Sequence, residues 1–153
     1  MEFRLEFNPP ALPDLISLQD RLFLIGSCFT EQMGQKLDQH LFTTLQNPSG
    51  ILFNPISICT SLEQYLENKQ FTESELFYHN ELWGSWDHHT RFSACTQEAC
   101  LTKINTAITG AYQFLQTTNW MIITLGSSFV YKTAEKFVAN CHKVPTDKFE
   151  KVL

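Results

Sequence analysis

The sequence predicts an α/β protein, a three-layer α/β/α sandwich around a mainly parallel sheet. Three observations lead there. Residues 21–25 (Arg-Leu-Phe-Leu-Ile) and 120–125 (Trp-Met-Ile-Ile-Thr-Leu) are nearly continuous apolar runs, the texture of strands covered on both faces. Both runs stop at Gly-Ser, in Gly26-Ser27 and Gly126-Ser127. The first passes directly into a helical period, and strand, tight turn, helix is the half-unit of a parallel sheet.

Phe3, Leu5 and Phe7 alternate with polar residues as a short strand would, and Pro9, Pro10 and Pro13 then forbid regular structure. After the strand at 21–25, Phe29, Met33, Leu37 and Leu41 recur every four residues and predict a helix over 28–42 with that stripe inward. Asn47-Pro48-Ser49-Gly50 is a turn cluster, and Ile51-Leu52-Phe53 a short third strand. Asn54 reads as an N-cap with Pro55 in the first turn. Ile58, Cys59, Leu62, Tyr65 and Leu66 would give that helix its buried face, and 68–74 is polar. Leu76-Phe77-Tyr78 and Leu82-Trp83 flank His79-Asn80-Glu81 as a hairpin. Thr96 caps a long helix whose inner face is Leu101, Ile104, Ala107, Ile108, Ala111 and Leu115, with Gly110 inside it. Phe129-Val130-Tyr131 and Phe137-Val138-Ala139 predict a second hairpin, and Pro145 to Leu153 a last helix with Phe149, Val152 and Leu153 inward.

The 153 residues hold eleven Lys and Arg against sixteen Asp and Glu, a net charge of −5. With 43% apolar and 18% charged residues the chain is globular rather than disordered. No Lys/Arg run suits it to nucleic acid, and no apolar stretch nears the roughly 20 residues of a membrane span. Met1-Glu2-Phe3-Arg4 lacks the features of a signal peptide. The five cysteines, Cys28, Cys59, Cys95, Cys100 and Cys141, are odd in number and form no Cys-x-x-Cys, so they read as buried, reduced thiols of a cytoplasmic protein. His88, His89, Cys95 and Cys100 lack zinc-ligand spacing, and no metal or other cofactor is expected.

In a parallel sheet, ligands bind beyond the carboxyl ends of the strands. Ser27 falls there and at a helix N-terminus, where its N–H and the helix dipole suit an oxyanion. Capping is its ordinary role. Cys28 is the rival nucleophile, since a first-turn thiol is easily ionised; its ordinary role is a small residue buried against the sheet. Gly50 lets its N–H approach a ligand oxygen, and Asn47 and Asn54 could donate amides nearby. His88, His89 and His142 are the candidate bases; His40 and His79 read as structural or exposed.

Five ordered blocks carry a family resemblance: Gly26-Ser27-Cys28-Phe29-Thr30; Asn47-Pro48-Ser49-Gly50-Ile51-Leu52-Phe53-Asn54-Pro55; Ser85-Trp86-Asp87-His88-His89-Thr90-Arg91-Phe92-Ser93; Thr124-Leu125-Gly126-Ser127-Ser128-Phe129-Val130-Tyr131; and Val138-Ala139-Asn140-Cys141-His142-Lys143-Val144-Pro145. Together they resemble the GSCFA family, with Thr30 where that name has Ala. That family resembles the SGNH/GDSL hydrolases, which have a flavodoxin-like α/β/α fold and cleave esters with a serine nucleophile. The resemblance implies Ser27 as catalytic nucleophile, with Cys28 kept open by the shorter Gly-Ser-Cys turn. It implies an oxyanion hole from Ser27 and Gly50, with Ser128 or Asn140 replacing the superfamily's third-block Asn. The family's Asp-x-x-His occurs nowhere in the 153 residues.

Two functions follow as expectations. One is hydrolysis of an acyl or acetyl ester, of a small molecule or a glycan, with the 153 residues being the N-terminal portion of a longer domain and inactive alone. The other is a non-catalytic binding module using Trp83, Trp86, His88, His89 and Phe92. A metal hydrolase built on His88, His89 or His142 is a third. A sheet short of strands would leave an exposed edge, which invites self-association.

Overall fold

The computed structural model describes residue 10, residues 14–134 and residues 136–153. The strand expected around Phe3, Leu5 and Phe7 lies outside the described residues. Strand β1 (Arg21–Gly26) is the centre of a three-stranded parallel sheet of order β2-β1-β5, with β2 at Thr43–Gln46 and β5 at Trp120–Thr124. The register pairs Leu24 with Gln46 on one side and with Ile122 on the other. Three α-helices lie among the described residues: α1 (Cys28–Gln39), α2 (Pro55–Leu66) and α3 (Gln97–Leu115). They flank the sheet as an α/β/α sandwich.

Side chains of β1 alternate between the two layers. Phe23 and Ile25 join Leu52, Ile58, Tyr65, Ile104 and Ile108 in the main core beneath α2 and α3. Leu22 and Leu24 point the other way, toward α1. The α2 cap forms as expected: Asn54 Oδ1 accepts the Ser57 N–H at 2.8 Å with Pro55 in the first turn. Thr96 accepts the Ala99 N–H to start α3.

A hairpin of β3 (Phe77–His79) and β4 (Leu82–Gly84) turns at Asn80 and Glu81, both at positive φ, as a two-residue primed turn requires. β6 (Val130–Lys132) pairs antiparallel with β7 (Phe137–Val138) and with β8 (Glu150–Val152).

Five expectations are corrected. The third parallel strand is Thr43–Gln46, whereas 51–53 crosses the strand ends as a loop, with Leu52 N–H bonded to Gly26 O. The Phe29 stripe of α1 faces outward, Phe29 being 60% exposed; Thr30 and Gly34 face the sheet instead. Gly34 lets Gln46 lie against the helix there: a Cβ would stand 2.1 Å from Gln46 Oε1, and the end of that side chain would have to move. On α2, Cys59 and Leu66 are exposed while Ser57, Ser61 and Gln64 are buried. The last helix is a single 3-10 turn (Thr146–Lys148) and then β8: three apolar residues are too few to hold a helix when Val152 can pair with Val130. The cysteines are all free thiols, but only Cys100 is buried; Cys28, Cys59 and Cys95 are exposed.

Candidate active site

Ser27 sits where β1 ends and α1 begins, in extended conformation at the N-cap position. It does not cap with its side chain. Its Oγ lies 2.9 Å from Thr124 Oγ1, and its N–H donates to the same oxygen at 3.0 Å. Thr30 Oγ1 completes this hydroxyl cluster by bonding to Thr124 Oγ1. The cluster exists because Gly26, at φ +142°, lets the chain run against β5; a Cβ there would be 2.1 Å from Thr124 O. Ser27 is 9% exposed, so its oxygen is held rather than free.

The second turn of the same kind lies alongside. The Gly126 and Ser127 N–H groups both donate to Phe53 O, at 2.8 and 2.9 Å, and a Cβ on Gly126 would be 3.3 Å from Ser27 Cβ. The two Gly-Ser turns named from sequence are thus neighbours, with Phe53 wedged against them.

The loop after β2 is fixed to the Ser27 turn. Asn47 Oδ1 accepts the Gly26 N–H, and Asn47 O accepts a bond from Arg91 Nη2 at 2.7 Å. Arg91 also bonds Glu31 of α1. Gly50, at φ +91°, packs so tightly on His89 that a Cβ would be 2.2 Å from the His89 Cβ, and its N–H donates to Asn47 O. Both backbone N–H groups expected for an oxyanion hole, those of Ser27 and Gly50, are therefore engaged within the chain. Cys28 and Phe29, the first two residues of α1, have no intrahelical acceptor for their N–H groups. Sequence reasoning passed over them, although the helix N-terminus it identified carries them. Ser128 is exposed and makes no hydrogen bond among the described residues.

No imidazole lies within hydrogen-bonding distance of Ser27 Oγ among the described residues. His88 is fully buried, with Nδ1 3.1 Å from Ser85 Oγ, Nε2 without a partner among the described residues and its ring edge-on to Phe71. Burial drives its pKa down to about 3, so it is a neutral core group. His89 accepts the Arg91 N–H on Nδ1, and burial followed by the Arg91 charge lowers its pKa. His142 donates from Nε2 to Ser85 O at 2.8 Å, which leaves Nδ1 as its acceptor in the neutral ring. Burial lowers its pKa despite that bond.

His142 and Asn140 border an open cleft of about 320 Å³ that also takes in Phe53, Asn54, Ser127 and Phe129. Ser27 does not line this cleft. Trp86 is stacked on Phe77 at 3.7 Å, and Phe92 and Trp83 pack on the main core, so the aromatic cluster faces inward. Among the described residues no group of three or more His, Cys, Asp or Glu could hold a metal ion, and no helix is long and apolar enough to cross a membrane.

The model of the GSCFA family matches residues 21–153. No curated protein and no solved structure matches the chain.

Proposed function

Since the chain belongs to the GSCFA family, we propose that it acts as a serine hydrolase of acyl esters, with Ser27 as nucleophile. One observation carries the reading: the Ser27 hydroxyl occupies an N-cap position without capping, at the carboxyl end of the central strand. A hydroxyl left out of its usual structural role, at the end of a parallel sheet where ligands bind, supports that reading. Thr124 Oγ1 accepts the Ser27 N–H and orients Ser27 Oγ.

In the proposed reaction Ser27 Oγ attacks the ester carbonyl carbon and its proton passes to an imidazole. The carbonyl oxygen becomes an oxyanion facing the Cys28 and Phe29 N–H groups at the positive end of α1. Collapse expels the alcohol, which takes the proton from the imidazolium, and water then hydrolyses the acyl-serine by the same steps. The imidazole is one that the hydrogen bonds of Ser27 in this structure do not include. The 153 residues alone should therefore turn over p-nitrophenyl acetate slowly.

A fluorophosphonate probe tests the assignment. It should label the chain at Ser27, survive Cys28→Ala and disappear in Ser27→Ala. Equal labelling of Ser27→Ala removes the serine from the mechanism. No labelling of the unaltered chain, combined with saturable binding of a small ligand, favours the binding module.

A further inference from the structure

Asn54 and Asn140 stand on unrelated elements, the N-cap of α2 and the segment after β7, yet both line the cleft beyond Phe53. Their carboxamides are oriented without ambiguity. Asn54 Oδ1 accepts the Ser57 N–H and Asn140 Oδ1 accepts the His142 N–H, each at 2.8 Å. A backbone N–H only donates, so in both residues the oxygen is the bonded atom and the NH2 group is the free one. Neither Nδ2 makes a hydrogen bond among the described residues, and neither is sealed from solvent. Asn54 is only 5% exposed, so what it shows to solvent it shows through the cleft.

The charge of the cleft points the same way. The chain carries −5 overall, yet none of the eleven lining residues is acidic, and Lys143 at the rim forms no ion pair among the described residues. Two donor-only amides and an ammonium select a group that accepts and does not donate. A carboxylate accepts from both amides and also carries the charge opposite to Lys143, which a sugar hydroxyl does not. Phe53, Phe129 and Tyr131 supply flat apolar walls for the rest of such a ligand.

We infer that this cleft is a subsite for the carboxylate of a ligand, held by Asn54 and Asn140 with Lys143 and packed against the rings. Phe53 also touches the Gly126 turn beside Ser27, so an ester whose acid or alcohol part bears a carboxylate would reach from the subsite to the nucleophile. That substrate class rests on the hydrolase reading above; the binding itself does not.

The test is a titration with benzoate, followed by the side-chain amide resonances of 15N-labelled protein. Benzoate should shift the Asn54 and Asn140 NH2 signals saturably, and benzyl alcohol should shift them far less. Asn54→Asp and Asn140→Asp keep the oxygen that accepts the backbone N–H, replace the donor with a like charge, and should weaken benzoate roughly tenfold or more. Their thermal midpoints should stay near that of the unaltered protein, and Ser27→Ala should bind benzoate normally. The subsite is overturned if benzoate shifts other residues only, if benzyl alcohol does as well, or if both Asp variants bind unchanged. Fluorophosphonate labelling at Ser27 reads the nucleophile separately. Loss of benzoate binding with labelling intact removes the subsite alone, and the converse removes the hydrolase alone.

Discussion

Asn47 Oδ1 accepts the Gly26 N–H at 2.8 Å, and through it the loop after β2 sets the position of the residue preceding Ser27. Asn47 is almost wholly buried at φ +43° and leaves its Nδ2 without a partner among the described residues. Asn47→Ala strands the Gly26 N–H and puts an alanine in a left-handed conformation. A loss of about 2–4 kcal/mol is expected by urea unfolding, together with loss of Ser27 labelling. Unchanged stability would show that the bond does not hold the turn.

Two glycines should respond to alanine in opposite directions. Gly26→Ala meets Thr124 O at 2.1 Å with φ at +142°, and should cost on the order of 2–5 kcal/mol or prevent folding. Gly110→Ala meets nothing within 4 Å inside α3, and should gain about 0.5–1 kcal/mol through helix propensity. Thermal unfolding of both variants checks the signs.

Stability should fall as pH drops from about 6.5 toward 4.5. His88 has its folded pKa near 3, below its unfolded value of 6.5, so in that window the unfolded chain binds the proton and the folded one does not. His142 and His89 shift in the same direction and add to the slope. Glu75, whose burial is outweighed by its bonds to Lys69 and Thr72, has its pKa lowered, and its contribution is lost mainly as pH falls through and below its ordinary value of 4.5. The slope from one such histidine approaches about 1.4 kcal/mol per pH unit. His88→Gln should flatten the dependence between pH 4.5 and 6.5, read from urea unfolding at a series of pH values.

Among the described residues β5 is an edge strand of the parallel sheet, and that edge should make the protein self-associate. Met121 and Ile123 lie on the Phe23 face of the sheet, yet α2 and α3 leave them 45% and 46% exposed, and Leu125 follows them. Ile123→Lys places a charge on that edge and should suppress concentration-dependent association in sedimentation velocity. A concentration-independent monomer in the unaltered protein would contradict this.

The elements legible in sequence were those with strong local chemistry. The central apolar run of β1, the Asn54 and Thr96 caps, and the Asn80–Glu81 turn each carry their own signal. β2 was hidden because Thr-Thr-Leu-Gln is short and mostly polar, while the more apolar 51–53 crosses the strand ends instead. The two Gly-Ser turns were legible as candidates, but their contact through Thr124 and Phe53 depends on strands 97 residues apart in the chain. His88 looked like a base by type, and only its zero exposure shows a core residue. Asn54 reads from sequence as a cap and as a candidate amide donor, and no pattern in a single chain says which amide hydrogens remain free after capping.

Thr30 and Gly34, the buried positions of α1, are pressed onto Thr124 and Gln46, while Phe29 and Met33 look outward. Helix and sheet meet closely at these two positions, beside the buried Leu22 and Leu24 of β1. The usual guide to mutational tolerance is thereby reversed at these four of the twelve residues: the apolar Phe29 and Met33 have room to vary, and the small Thr30 and Gly34 have less. Any library built on this scaffold that protects its apolar residues and randomises its small ones would spare the wrong side of the helix that carries the nucleophile.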